Sequence, residues 1–218
     1  MIDKYMDMLK YLSAEYDDFS YVPNRKELIN AEMFFMFLYI NKIKPEVIFE
    51  SGYWQGRSSL IILETLKRAG IKCDYYIACI LKKPHVYFDH NYDNFNLIMG
   101  KGEQVINNVA KSHGGKRMLS LIDGPKFRYY DKCEKIYDSL FSNFDIQAIF
   151  QHDTHRPKDM RNYQRYYDSK VDKNKYGLHK IGELFLDKYC DLLNEENLGE
   201  SKMGLICDND LLIKDISI

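Results

Sequence analysis

Residues 47–70 read Val-Ile-Phe-Glu-Ser-Gly-Tyr-Trp-Gln-Gly-Arg-Ser-Ser-Leu-Ile-Ile-Leu-Glu-Thr-Leu-Lys-Arg-Ala-Gly. The stretch opens on a short apolar run, Val47-Ile48-Phe49, that ends at Glu50. A run so short and so bounded suits a strand covered on both faces. From 57 to 69, Leu60, Ile61, Leu63 and Leu66 follow helical spacing, and Gly70 supplies a stop. Gly52 and Gly56 lie between, where the chain must turn tightly and approach a ligand closely. The unit is strand, glycine turn, helix.

The same unit recurs downstream. Apolar runs predict strands at 74–81, 96–99, 117–122 and 146–150, with helices at 103–112 and 129–142 between them and a long helix at 178–194. Strand–helix alternation implies a mostly parallel sheet with helices on both faces. The tail, Gly204–Cys207 then Leu211–Lys214 around Asp208-Asn209-Asp210, reads as an antiparallel hairpin. Upstream, Ile2, Met6, Leu9, Leu12 and Tyr16 form one apolar helical stripe, and 25–43 reads as a second, buried helix. The expected fold class is α/β: a Rossmann-like, doubly wound, mostly parallel seven-stranded sheet with a C-terminal antiparallel hairpin and N-terminal helices. The division is an N-terminal helical extension, 1–26, and one domain, 27–218. Residues 82–95 and 154–176 read as long irregular stretches, the second rich in Lys and Arg and a candidate lid over a substrate.

Composition narrows the function classes. At a rough 150 residues per domain, 218 residues predict one domain, long enough to bury a real core. Lys+Arg is 31 against Asp+Glu 32, a formal charge of −1, so no basic footprint points to nucleic acid. The apolar run Met33–Ile40 is far short of the roughly 20 residues that span a bilayer. Acids run through the first 18 residues, where a signal peptide is apolar, so a soluble, cytoplasmic protein is expected. The five cysteines are scattered without a Cys-x-x-Cys pair and read as buried thiols.

In an open parallel sheet, ligands sit beyond the carboxyl ends of the strands where strand order reverses. The residues after each predicted strand are therefore the ones to read. Gly52 as the first glycine of a dinucleotide fingerprint would need glycine at Trp54 and Arg57, and no Gly-Lys-Ser/Thr follows for a phosphate loop. The hydroxyls of Ser58 and Ser59 and the open amides of the next helix can donate or cap. An acid at Glu50 favours a cationic or polyhydroxyl ligand.

The 47–70 stretch resembles the first motif of class I S-adenosylmethionine-dependent methyltransferases. It is most similar to the branch with small-molecule and sugar O-methyltransferases and cephalosporin-hydroxylase-like proteins, which carry E-x-G-x-x-x-G-x-S. The resemblance continues in order through Ile98-Met99-Gly100-Lys101-Gly102-Glu103, Ser120-Leu121-Ile122-Asp123-Gly124-Pro125-Lys126 and Ile149-Phe150-Gln151-His152-Asp153-Thr154, and covers roughly 27–218. It implies S-adenosyl-L-methionine as cofactor, bound by Glu50, Ser51, Gly52, Gly56, Ser58, Ser59, Gly100 and Asp123. It implies transfer of a methyl group to an oxygen of a small polar acceptor, such as a sugar or glycoside. One departure stands out: the family ends its second strand with an acid that holds the ribose, whereas here Lys82 and Lys83 follow the strand and Asp89 is the next acid.

Asp123, His152 and Asp153 are the catalytic candidates. A carboxylate beside an imidazole can supply a general base. Asp123 and Asp153 can instead hold a divalent cation, Mg²⁺, which needs few protein ligands. Asp-Gly-Pro as ordinary turn chemistry, and Asp153 as a cap with His152 at the surface, are the plainer alternatives. His155 is near enough to join; His85, His90, His113 and His179 read as surface or structural. Neither nucleic acid nor membrane is expected as a partner, and a homo-oligomer stays open. Two rival readings remain: a non-catalytic binder on the same fold, motivated by the missing acid, and a nicotinamide dehydrogenase, disfavoured by the absent fingerprint.

Overall fold

The computed structural model describes residues 1–16, 30–53, 56–80, 92–154, 156–181 and 203–213. Helices α1 (Ile2–Glu15) and α2 (Asn30–Ile43) precede β1 (Val47–Ser51), α3 (Arg57–Ala69), β2 (Asp74–Cys79) and β3 (Phe95–Met99). Then come α4 (Gly102–His113), β4 (Arg117–Ile122), α5 (Tyr130–Asn143), β5 (Asp145–Gln151), α6 (Pro157–Lys170), β6 (Tyr176–Lys180) and β7 (Gly204–Asp208). The strands form one seven-stranded sheet in the order β3-β2-β1-β4-β5-β7-β6. The first five pair in parallel, and β7 runs antiparallel to both neighbours. Strand order therefore reverses between β1 and β4.

Alternation along the strands divides the core into two layers. Ile48, Leu119, Leu121 and Phe150 face one layer with α1, α2 and α3. Val47, Phe49, Met118, Ile122, Ile146 and Ile149 face the other with α4, α5 and α6. Gln147 is an extra residue opposite Met118/Leu119, a bulge that shifts the register before the functional end of β5. The stripe on α1, with Tyr5, Met8, Leu9 and Leu12 buried, belongs to the same core layer as α2. No helix among the described residues is long and apolar enough to cross a membrane.

Three expectations need correction. Residues 157–170 are a helix, because Tyr163 and Tyr166 share one face and bury it against Phe127 and Tyr137, with ring centroids 4.9 Å and 5.1 Å apart. In a segment otherwise this charged, tyrosine carries the apolar stripe. Residues 178–180 belong to strand β6, not to a helix, and 182–194 lie outside the described residues. The antiparallel hairpin is β6 with β7, not 204–207 with 211–214. Leu205, Ile206 and Cys207 are fully buried in an interior strand that needs two neighbours, so β6 takes the edge. Leu211 to Ile213 instead lie on α2, where the Leu211 carbonyl accepts from Lys42 Nζ at 2.8 Å and the Ile213 amide donates to the Tyr39 hydroxyl at 3.3 Å.

Candidate functional site

Backbone hydrogen bonds stitch the strand ends into a row. The Gly100 amide donates to the Cys79 carbonyl (2.8 Å), and the Gly52 amide to the Ala78 carbonyl (3.0 Å). The amides of Asp123 and Gly124 both donate to the Ser51 carbonyl at 2.8 Å, and the His152 amide donates to the Ile122 carbonyl at 2.9 Å. Gly100, Gly52, Asp123 and His152 thus line one carboxyl edge, with the strand-order reversal in its middle.

Two glycines make this closeness feasible. Gly52 has φ +106°, and a Cβ there would lie 2.8 Å from the Gly124 nitrogen. A side chain at Gly52 would meet the β4 turn itself. Gly102, at the start of α4, was not singled out by sequence. A Cβ on it would lie 2.4 Å from Ser51 Oγ and 2.9 Å from Ile136 Cδ1, whereas Gly100 would meet only Val105 Cγ2 at 3.3 Å. Ser51 Oγ itself donates to the Gly124 carbonyl, a third tie between β1 and β4.

Glu50 is 1% exposed. Its Oε1 accepts from Ser58 Oγ at 2.6 Å; its Oε2 accepts from Ser59 Oγ at 2.8 Å and from the Tyr75 hydroxyl. Burial pushes its carboxyl up to about 7 against the opposing pull of these hydroxyls. Glu50, Ser58 and Ser59 are therefore occupied with one another, clamping the first turn of α3 to the end of β1. Gly56, also at positive φ, packs against the Tyr53 ring.

The ionisable groups meet at the ends of β4 and β5. His152 Nδ1 and Lys126 Nζ lie 2.7 Å and 2.6 Å from the same Asp123 oxygen, Oδ1. Lys126 Nζ also lies 3.0 Å from Asp153 Oδ2, and Arg156 approaches that oxygen at 3.6 Å. On the far side of the ring, His152 Nε2 is 3.9 Å from Oε2 of the buried Glu32 on α2. Burial alone would raise the Asp123 carboxyl, but the His152 hydrogen bond and the two neighbouring cations outweigh it and hold the group below the usual carboxylate range. Burial would lower the His152 imidazole, yet Asp123 and then Glu32 raise it.

Asp123, His152 and Asp153 are thus brought together as the sequence implies. Lys126 and Glu32 were missed. Lys126 stands inside the Asp-Gly-Pro-Lys run, and Glu32 is an acid opening an otherwise apolar helix; neither signal reveals a partner by itself. As the residues stand, the carboxylate pair is bridged by lysine, and no group of three His, Cys, Asp or Glu suited to a metal exists among the described residues. The described end of β2, Cys79 and exposed Ile80, carries no carboxylate. Trp54, Gln55, Lys82, Lys83, Asp89 and His155 lie outside the described residues. His113 is structural, with Nε2 3.1 Å from Asp74 Oδ2. A cavity of about 620 Å³ lined by Tyr11, Leu63, Ile71 and Tyr92 opens at the amino-terminal ends of β2 and β3, away from this row.

The arrangement was compared with solved structures. An O-methyltransferase from Bacillus cereus, described in complex with SAH, superposes with a TM-score of 0.57 at 9% identity over 95% of this chain and 89% of that one. The chain has a methyltransferase fold. A putative caffeoyl-CoA O-methyltransferase from Staphylococcus aureus gives 0.54 at 10% identity, covering 94% of this chain and 91% of its own. CmcI, described with Mg and SAM, gives 0.53 at 12% identity, covering 88% and 78%. Neither a family model nor a curated protein matches the sequence. Gly52, Asp123 and His152 stand at the carboxyl edge of this chain's own sheet.

Proposed function

We propose that this protein is an S-adenosyl-L-methionine-dependent methyltransferase acting on an oxygen of a small polar acceptor such as a sugar or glycoside. The observation that carries the reading is the His152–Asp123 pair, 2.7 Å apart, beside the glycine turn of β1 at the strand-order reversal. The likeness in fold to O-methyltransferases described with SAH and SAM supports it.

The chain's polar groups suit such a cofactor. Gly56, which precedes α3, has no side chain to cap the first turn, and ionised Asp123 suits a cationic ligand. When bound, the cofactor supplies a methyl group on a sulfonium. The chain's own part is to line up the acceptor and remove its proton. His152, held at Nδ1 by Asp123 and with Nε2 turned toward buried Glu32, forms with Asp123 the pair that takes the acceptor's hydroxyl proton as the oxygen–methyl bond forms. Asp123 then stabilises the imidazolium, as Glu32 does from the other side. Ser51, Gly52 and Gly100 form the backbone floor, while Glu50, Ser58 and Ser59 hold its shape. No step is routed through a metal, because Lys126 takes the position between Asp123 and Asp153.

Calorimetry with S-adenosylmethionine, its demethylated product and NAD tests the reading: the first two bind and NAD does not. Binding of NAD alone would make the protein a dehydrogenase. That Lys82 and Lys83, rather than an acid, follow β2 in the sequence favours a second reading, a non-catalytic binder, and binding without turnover across polar acceptors would select it.

A further inference from the structure

Asp123 and Asp153 follow adjacent parallel strands, and two carboxylates so placed repel unless a proton or a cation lies between them. Here the cation belongs to the chain. Lys126 reaches back three residues to Asp123 Oδ1 at 2.6 Å and across to Asp153 Oδ2 at 3.0 Å, and its side chain is only 19% exposed. Asp123 Oδ1 is already shared with His152, and Asp153 Oδ2 with Arg156. His152 is engaged as well, with Nδ1 on Asp123 and Nε2 turned toward Glu32.

We infer that Lys126 is the built-in counter-cation of this site, occupying the place between Asp123 and Asp153 that a divalent metal would take. The wild-type protein then binds no divalent metal there, and removing the ammonium opens a carboxylate pair that does. This revises the Mg²⁺ expectation for Asp123 and Asp153. It stands independently of methyl transfer, since it concerns cation binding by the protein alone.

Titration with Mn²⁺, followed by loss of the free-ion electron paramagnetic resonance signal and with no cofactor present, tests it. Wild type and Lys126→Arg are expected to show no site tighter than about 1 mM. Lys126→Ala is expected to bind one Mn²⁺ at least about tenfold more tightly, and Lys126→Ala combined with Asp153→Asn to lose it. A wild-type Mn²⁺ site that Asp153→Asn removes would overturn the inference, because the lysine would then yield to the metal. Absence of binding by folded Lys126→Ala would overturn it equally. Circular dichroism monitors folding. Should Lys126→Ala fail to fold, the comparison of wild type with Asp153→Asn still decides.

Discussion

Nδ1 of His152 stands 2.7 Å from Oδ1 of Asp123, across the pair β5 and β4, although the two residues are 29 positions apart. The bond fixes the orientation of the ring, with Nε2 turned toward buried Glu32. It also explains why the two groups shift in opposite directions, Asp123 down and His152 up.

Replacing His152 by Ala should therefore remove proton transfer while sparing the cofactor floor. The expected loss in kcat is about 10²-fold or more, with affinity for S-adenosylmethionine little changed. Product release measured over a panel of sugars and phenols, with calorimetry alongside, checks this. Undiminished turnover in the variant would move the base elsewhere.

Gly52→Val should harm folding as well as binding. The new side chain would press on the Gly124 nitrogen from a backbone at φ +106°, costing roughly 3 kcal/mol or more. Thermal unfolding should show a large drop; an unchanged melting temperature would mean that the β1 and β4 turns are looser than described.

Gly102→Ala should destabilise by about 1–3 kcal/mol, because its methyl would meet Ser51 Oγ and Ile136. Adding Ser51→Ala removes the nearest of these atoms and should restore part of the loss. A double-mutant cycle in denaturant measures it, and strict additivity would contradict the contact.

Stability should fall as pH rises from about 4.5 to 7. Glu50 carries a folded pKa raised to about 7, so in that window the folded state holds a proton that the unfolded chain releases. Its share is about 3 kcal/mol at neutral pH. Glu50→Gln should flatten the slope in urea unfolding across that window. An identical slope in wild type and variant would show that Glu50 is ionised when buried.

Amides in α6 should exchange slowly with or without ligand, since Tyr163 and Tyr166 are buried against Phe127 and Tyr137. Hydrogen exchange reads this directly; fast exchange at Tyr163 in the free protein would restore a mobile cover for this segment.

Periodicity and turn chemistry were sufficient for β1, α3, β4 and the switch-point position of Gly52, because these depend on neighbours within a few residues. They were also sufficient to align Asp123, His152 and Asp153 with strand ends, since a strand's end is a local property. What lay beyond the sequence was every relation set by packing between distant segments. Tyrosines 163 and 166 make a helix only because Phe127 and Tyr137 cover them, and β7 becomes an interior strand only because β6 returns beside it. Gly102 matters through the 2.4 Å its Cβ would leave to Ser51, and Glu50 through hydroxyls from α3 and β2. The ammonium of Lys126 settles between Asp123 and Asp153 because two strand ends converge there, and a single chain of letters carries no distance between those ends.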